Sequence, residues 1–508
     1  MRELLDLKSE KKVIVLEKIF NSSDHSCTQS ELLEQLNLTY PTLVSTIETI
    51  NDDILRFGYC DFSITRNVKS QLYSINVTED ISIQIIVHAY IRESSKFKLL
   101  ELLLTSSFPN LKILSDNLYI SYNTLRKDIK ELNQFLDSHG IKISVNDGVR
   151  LEGDELGIRL FYTFLYLTVY GGDTWPFSYI QYFEITRLLE SCPKEVYVAK
   201  SIDKSILIHY YVAVHFLRIR KNFLIPETRK FEIALYTPYT AESIESFNEF
   251  TSNLKQYLPN VNNTELFTSR LLISVLLALG GYSSIDKVPS FFYSEVQFKE
   301  NKFLETVLFI SEQVDFELSI PFSKSEKEKL LYSLFSVTYR YFLFKGLSMD
   351  LSSIIMGFSE IERNSKKIHK VIHLERLVRE MMELEELSIL TPFKKEIGAD
   401  YLLIFEKRID FSKHTLPIKV AIFSVISNET ATFDFLSRFS NYYNICVTNK
   451  MDKNIDLFIS DFSLSPRVIS SLSIHQPIIY VNTRWTESDY EKINTKLAEF
   501  ATERFVNK

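Results

Sequence analysis

LLEQLNLTYPTLVSTIETIN (Leu32–Asn51) and LSDNLYISYNTLRKDIKELN (Leu114–Asn133) are two versions of one pattern, 82 positions apart. Identities fall at Leu32/Leu114, Leu36/Leu118, Tyr40/Tyr122, Thr42/Thr124, Leu43/Leu125, Ile47/Ile129 and Asn51/Asn133. Apolar pairs Leu38/Ile120 and Ile50/Leu132 fill most of the remaining core positions. Leu114 and Leu118 are four apart, one face of a short helix. A tight turn is expected at Tyr119–Ile120. Ser121 is a good N-cap for the next helix, since its oxygen can accept from an orphan backbone N–H. Leu125, Ile129, Leu132 and Leu136 are the apolar stripe of that second helix. In the first copy Thr39 takes the cap, and Pro41 stands in the first turn, where a missing N–H costs little. Each copy therefore reads as a helix-turn-helix whose second helix can enter a DNA major groove.

Each copy also has a candidate wing. Gly140 ends the second helix-turn-helix. IKISVNDGVRLEG then alternates around Asn146-Asp147-Gly148, a strong hairpin signal. After the first copy, Asp61–Val77 holds the extended stretches DFSIT and QLYSINV. The chain therefore opens with two winged helix-turn-helix units, near residues 8–78 and 80–153. They differ in charge where DNA contact is expected. Arg126, Lys127 and Lys130 align with Val44, Ser45 and Glu48. Cations can meet phosphates or guanine edges. The second unit is thus expected to carry most of the electrostatic contact. The candidate DNA-binding residues are Tyr40, Thr42 and Ser45 in the first copy. In the second they are Ser121, Tyr122, Asn123, Thr124, Arg126, Lys127 and Lys130. A solvated helix face that simply carries charge is the plain alternative.

The chain has 508 residues, with Lys+Arg 58 against Asp+Glu 65 and a formal net charge of −7. That excludes a protein that binds polyanions by bulk charge, and leaves open a local basic face. Even residues 1–75 carry 8 Lys+Arg against 11 Asp+Glu, so DNA binding must come from placement. Composition is ordinary globular, and 12 Gly and 13 Pro argue against long disordered tracts. Cys27, Cys60, Cys192 and Cys446 form no CxxC pair, against a zinc ribbon or a disulfide framework. The N-terminus MRELLDLKSEKK lacks the apolar core of a signal peptide. The longest apolar run, LLISVLLALGGY (Leu271–Tyr282), is short of the roughly 20 residues a bilayer requires. A cytoplasmic protein without a membrane span is expected.

The segment GVRLEGDELGIRLFYTFLYLTVYGGDTWPF (Gly148–Phe177) resembles the Mga family of virulence-gene regulators. That family is related to the anthrax toxin activator and to regulators containing phosphotransferase-regulated domains. The resemblance rests on the junction Gly148, Leu151, Gly153 and Glu155, on Trp175-Pro176-Phe177, and on the order of parts along the chain. It implies a multidomain, mainly α transcription regulator of low-GC Gram-positive bacteria. Its implied domains are winged helix-turn-helix units at 1–78 and 79–155, helical regulatory bundles at 156–287 and 288–400, and an enzyme-IIB-like α/β domain with a parallel sheet at 412–508.

Read by themselves, residues 155–400 carry helical spacing almost throughout. A weaker repeat pairs LIHYYVAVHFLRIRKNFLI (Leu207–Ile225) with LLYSLFSVTYRYFLFKGLS (Leu330–Ser348), each an aromatic helix ending in a basic turn. His209 and His215 lie on the first of these helices, and His209 aligns with Ser333. His369 and His373 share one helix face at i and i+4, a spacing that can hold a metal. Without a third ligand, a solvated or packed face is the commoner outcome, and no metal is expected. The resemblance implies that such domains are phosphorylated on histidine by the sugar phosphotransferase system. His209, His215, His369 and His373 are the candidates, and a packed histidine is the competing reading.

From about Leu416 the period changes. IKVAIFSV, YNICVT, IDLFIS and PIIYVN are β-rich runs of the kind buried in a parallel sheet. They alternate with helical stretches at Thr432–Phe439, Ser465–Ser471 and Thr486–Phe500. Thr486 with Asp489 opens the last helix as a capping box with Asp in place of Glu. An active enzyme IIB carries its cysteine just after the first strand, where this chain has SVISNETA (Ser424–Ala431). Cys446 falls in the next strand and is expected in the core. No phosphoryl transfer is expected here; sensing or oligomerisation is.

The combined expectation is a DNA-binding transcription regulator, an activator of virulence or carbohydrate-linked genes. Its expected partners are promoter DNA, a second copy of itself (a homodimer or higher oligomer through the C-terminal domain) and the phosphocarrier of the sugar phosphotransferase system. No cofactor and no catalytic residue is expected. A signalling scaffold whose helix-turn-helix units bind protein is one alternative. A phosphotransfer enzyme is another, against which stands the lack of a Gly-rich phosphate loop, a Walker pattern or a Gly-x-Ser-x-Gly elbow.

Overall fold

A computed structural model describes residues 2–76, 82–171, 174–192, 202–236, 247–258, 265–280, 302–317, 320–344, 393–409, 416–425, 427–440, 442–448, 454–471 and 474–506, with isolated positions between 378 and 391. The chain forms two compact units. Residues 1–191, 201–229 and 249–265 make the first, and the remainder makes the second. The protein is mainly helical and multidomain, with a helix-turn-helix domain and a parallel sheet.

The first unit opens with α1 (Leu7–Phe20), β1 (Ser26–Thr28), α2 (Gln29–Leu36), α3 (Tyr40–Arg56), β2 (Ser63–Asn67) and β3 (Leu72–Asn76). The helices α2 and α3 form around the repeated apolar stripe: Leu32, Leu43, Ile47 and Ile50 are all buried. The two wing strands pair antiparallel, with Ile64 opposite Ile75. The short strand β1 was not legible in sequence. It joins the sheet in the order β1-β3-β2, with Cys27 opposite Tyr73. Thr39 departs from the expected cap. Its hydroxyl meets Thr42 Oγ1 at 2.8 Å and takes no backbone N–H. Pro41 removes the nearest donor, and the Thr42 hydroxyl captures the oxygen instead.

The second half of the pattern comes after α4 (Ile83–Glu93) and α5 (Ser95–Thr105). It comprises α6 (Leu111–Leu118), α7 (Tyr122–Asp137), β4 (Lys142–Ser144) and β5 (Arg150–Glu152). Leu114, Leu125, Ile129, Leu132 and Leu136 are buried as the spacing requires. The junction glycines have steric reasons. A Cβ on Gly148 (φ +90°) would lie 2.7 Å from Phe108 O, and one on Gly153 (φ +149°) 2.8 Å from Gly140 O. Only a residue without a side chain tolerates both the positive φ and the close approach.

The first unit continues with helices α8 (Glu155–Tyr170), α9 (Tyr182–Glu190) and α10 (Ile202–Arg220), the start of α11 (Glu227–Tyr236), whose residues from Lys230 on belong to the second unit, and most of α12 (Phe247–Tyr257). Tyr162 donates from its hydroxyl to Leu100 O at 2.7 Å, tying α8 to α5. The Trp175-Pro176-Phe177 motif closes an aromatic cluster. Trp175 Nε1 donates to Ile180 O at 2.8 Å, and its ring meets Phe177, Tyr182 and Tyr210 edge-on.

In the second unit, helices α13 (Glu265–Gly280), α14 (Lys302–Glu317), α15 (Lys324–Leu343) and α16 (Lys394–Arg408) precede the sheet. Arg340 on α15 pairs with Asp400 on α16 at 2.6 Å, both buried. The α/β part runs β6 (Ile418–Phe423), α17 (Asn428–Phe439), β7 (Ile445–Val447), β8 (Leu457–Ser460), α18 (Pro466–Ser471), β9 (Ile478–Tyr480) and α19 (Glu487–Val506). All strand pairs are parallel, in the order β7-β6-β8-β9. One face of the sheet packs Val420, Ile422, Leu457 and Ile459 against Phe435, Phe439, Ile493 and Leu497. The other packs Ala421 and Phe458 with Ile455, Ile469 and Ile474. Burial on both faces is why these strands read as apolar runs. The core placement expected for Cys446 is corrected: its side chain is exposed. It lies at the centre of β7, an edge strand with one neighbour, where only part of the strand is covered.

The Thr486–Asp489 capping box forms. Burial pushes the Asp489 carboxyl up, but the N–H and hydroxyl of Thr486 (2.9 and 2.8 Å) and the Asn482 amide (2.8 Å) outweigh it. The carboxyl is held down to about 2 from an ordinary 3.8. A folded-state pKa below the unfolded one means stabilisation present above about pH 4 and lost as pH falls toward about 2. Asp489→Asn is therefore expected to unfold more easily than wild type at neutral pH. The gap in thermal midpoint should close as pH falls through that window; a gap unchanged at low pH would contradict the assignment.

Candidate nucleic-acid interface

The second helix-turn-helix builds its exposed face from local rules. Asn110 caps α6, accepting from Ile113 N at 3.0 Å. The chain turns through Tyr119 in the left-handed region. Ser121 then accepts from Thr124 N at 3.1 Å, while its hydroxyl meets that of Thr124 at 2.8 Å. With the Leu125–Leu136 stripe facing inward, Ser121, Tyr122, Asn123, Thr124, Arg126, Lys127 and Lys130 are all exposed. Tyr40, Thr42 and Ser45 are likewise exposed on α3.

The cations are not equivalent. Lys127 Nζ lies 3.7 Å from Glu131, which also pairs with Lys96 at 2.7 Å. Lys96 holds the Glu131 carboxyl below its usual range. Among the described residues, Arg126 and Lys130 have no acid within ion-pair distance. Both line a groove of about 470 Å³, together with Asn133, Gln134 and Asp137 of α7 and Val145 beyond β4. The arrangement offers two uncompensated cations beside a wing.

The repeat identity Asn51/Asn133 has a mechanical meaning that sequence alone did not disclose. Asn133 Nδ2 donates to Ile143 O at 3.0 Å, and Ile143 N donates to Asn133 Oδ1 at 2.7 Å. Asn51 makes the same two bonds with Ile64, at 2.9 and 2.8 Å. Each amide therefore acts as an extra strand residue, fixing the second helix to its wing. In Asn133→Asp the carboxylate cannot donate and faces a carbonyl. A loss of about 1–3 kcal/mol is expected from that unmatched group. A thermal melt of the variant measures it, and an unchanged midpoint would show that the clamp carries no stability.

Arg66 on β2 was missed by sequence reading. Its guanidinium donates to Tyr40 Oη at 2.8 Å and to Gln29 Oε1 at 2.9 Å, and stacks over the rings of Tyr40 and Tyr73. It brings a cation to the face of the first copy, where Val44, Ser45 and Glu48 stand in place of the cations of the second. Strand pairing places it there, and no spacing rule announces it.

A buried ionic joint forms where the chain leaves β5 and enters α8. Glu155 accepts from Arg218 Nε at 3.0 Å and Nη2 at 2.5 Å, and from Arg159 Nε at 2.9 Å. Arg218 also donates to Leu104 O at 2.9 Å, and Arg159 to Phe223 O at 2.9 Å. Both guanidiniums are almost wholly buried. Glu155, the acid of the junction motif, thus ties the end of α5 to α8 and α10.

His215 belongs to this joint. It is buried, and its Nδ1 stands 2.9 Å from Arg159 Nη1. Burial and then the Arg159 charge push its pKa well down, so the ring is neutral and Nδ1 accepts. His209 is also buried. It stacks on Tyr182, with Nδ1 2.6 Å from Ser205 O and Nε2 2.9 Å from Thr186 Oγ1. Neither ring presents a nitrogen to solvent. His369 and His373 lie outside the described residues.

In the second unit, the loop after β6 is occupied by an acid. Asp461 accepts from Ser424 Oγ at 2.7 Å and from Val425 N at 2.9 Å.

The first unit thus has the features of a helix-turn-helix regulator. Residues 79–166 match the Mga helix-turn-helix domain. The chain is similar to the capsule synthesis positive regulator AcpB of Bacillus anthracis, 24% identical over 225 residues, which is 44% of this chain and 45% of that protein. It is also similar to a putative trans-acting regulator of Streptococcus pneumoniae serotype 4, 24% identical over 223 residues (43% of each). The capsule synthesis positive regulator AcpA of Bacillus anthracis is 24% identical over 151 residues (30% of each). The chain spans less than half the length of the curated relatives it matches. The resemblance to the Mga family read from Gly148–Phe177 is borne out, and the relatives are named as regulators, not enzymes. No helix among the described residues is long and apolar enough to cross a membrane.

Proposed function

We propose that this chain is a cytoplasmic DNA-binding transcription regulator that acts as an activator. The carrying observation is the exposed face of α7, where Arg126 and Lys130 stand without acidic partners among the described residues, inside a segment that matches the Mga helix-turn-helix domain. Two relatives are named as positive regulators, which supports activation. Duplex DNA lies along α7, with the β4–β5 wing and Arg66 adding backbone contacts. The flanking units regulate. Residues 412–508 act as an enzyme-IIB-like module for self-association, and the Asp461 carboxylate in its loop repels a phosphoryl anion. Phosphorylation by the phosphocarrier at His209 requires the Tyr182 stack to open first.

The test is a fluorescence titration of the full chain against promoter duplexes at several salt concentrations, paired with chromatin capture of the tagged protein. Affinity that falls steeply with salt supports the reading, because each neutralised phosphate releases counterions. Absence of DNA affinity at low salt, with intact self-association, would overturn it.

A further inference from the structure

The turn between α6 and α7 holds a residue that the fold does not need. Tyr119 adopts φ 55° and ψ 35°. For a bulky residue that left-handed conformation is strained. The matching position in the first copy is Asn37, at φ 48° and ψ 46°. Asparagine takes this conformation with far less strain, and it is a usual helix-ending residue. Both turns close by the same bonds. Tyr119 N donates to Asp116 O and Ile120 N to Ser115 O; Asn37 N donates to Glu34 O and Leu38 N to Leu33 O. The turn therefore forms equally well without an aromatic ring. Packing gives no reason either, since Tyr119 is 94% exposed. Burial of an aromatic side chain is what ordinarily offsets such strain, and here there is none.

What Tyr119 does have is position. It lies two residues before the Ser121 cap, in the exposed turn that leads into the helix carrying exposed Tyr122, Asn123, Thr124 and Arg126. We propose that Tyr119 is a DNA-contact residue: its hydroxyl donates to a backbone phosphate and its ring lies against the adjoining sugar. The inference rests on the proposed DNA-binding function and adds a contact to it. A phosphate contact orients the protein without reading sequence, so its loss weakens all sites alike. The contact is uncharged, so it releases no counterion and leaves the salt slope intact.

The experiment uses the full chain and a promoter duplex that wild type binds, with Tyr119→Asn and Tyr119→Phe. Tyr119→Asn is expected to melt at or above the wild-type temperature, because strain is relieved. It should nonetheless bind DNA about tenfold more weakly, the scale of one lost hydrogen bond to a charged group, at an unchanged salt slope. Tyr119→Phe keeps the ring and should lose only part of that. Wild-type-like binding by Tyr119→Asn overturns the inference while leaving the DNA-binding reading standing. A lowered melting temperature in that variant also overturns it, by showing a structural role. A wild-type chain that binds no DNA overturns the reading itself.

Discussion

Arg126→Ala combined with Lys130→Ala is expected to weaken DNA binding by at least about 100-fold at moderate salt. Each contact of a charged donor with a phosphate contributes on the order of 1.5–3 kcal/mol. The slope of log affinity against log salt should become shallower by about two, because two fewer counterions are released. Stability should hold to within about 0.5 kcal/mol, since both side chains are exposed and neither has an acidic partner among the described residues. Lys127→Ala is the internal control. Its ammonium already faces Glu131 at 3.7 Å, so its loss should cost less affinity than either of the others. A double variant that binds as wild type does would remove α7 as the contact face. Equal losses at all three positions would show that the Glu131 pairing does not matter.

Glu155→Ala is expected to have the largest effect on stability. It leaves Arg159 and Arg218 buried beside each other with their countercharge gone. Breaking a buried pair in this way costs about 3–5 kcal/mol, most of it from the uncompensated charge left behind. In a unit of this size the thermal midpoint should fall by roughly 6–20 °C. Hydrogen exchange should rise first along α5 and α8, which the cluster joins through Leu104 O. Glu155→Gln restores an acceptor without the charge and should recover only part of the loss. A midpoint within about 2 °C of wild type would mean that the guanidiniums find other partners. Because Glu155 follows β5 by three residues, the variant also tests whether a rigid end to the second wing is required for binding.

The helix-turn-helix units were legible because their signals are local. Apolar spacing places Leu114, Leu125 and Leu132 inward, and a serine before the helix caps it without reference to the rest of the chain. The parallel sheet was legible for a related reason, since strands covered on both faces must be apolar along their length. Signals failed where a partner is distant. The strand β1 is three residues long and exists only because β3 lies beside it. Cys446 looked like a core residue from its apolar neighbours, but edge position is a property of strand order. The Asn51/Asn133 identity was visible as an identity, while the strand carbonyl that makes each amide necessary was not.

The sequence by itself determined the repeated helix-turn-helix, the likeness of Gly148–Phe177 to the Mga family, and the cationic bias of the second copy. These come from spacing, capping and charge, each acting within about one or two turns of helix. Tertiary structure alone decided which cations are free. Glu131 counters Lys127 while Arg126 and Lys130 face a groove, Arg66 reaches Tyr40 from a paired strand, and Glu155 gathers two arginines, one of them 63 positions away. Hydrogen bonds and ion pairs act over about 3–4 Å in space, whatever the separation along the chain. Their partners therefore become known only once the chain is folded.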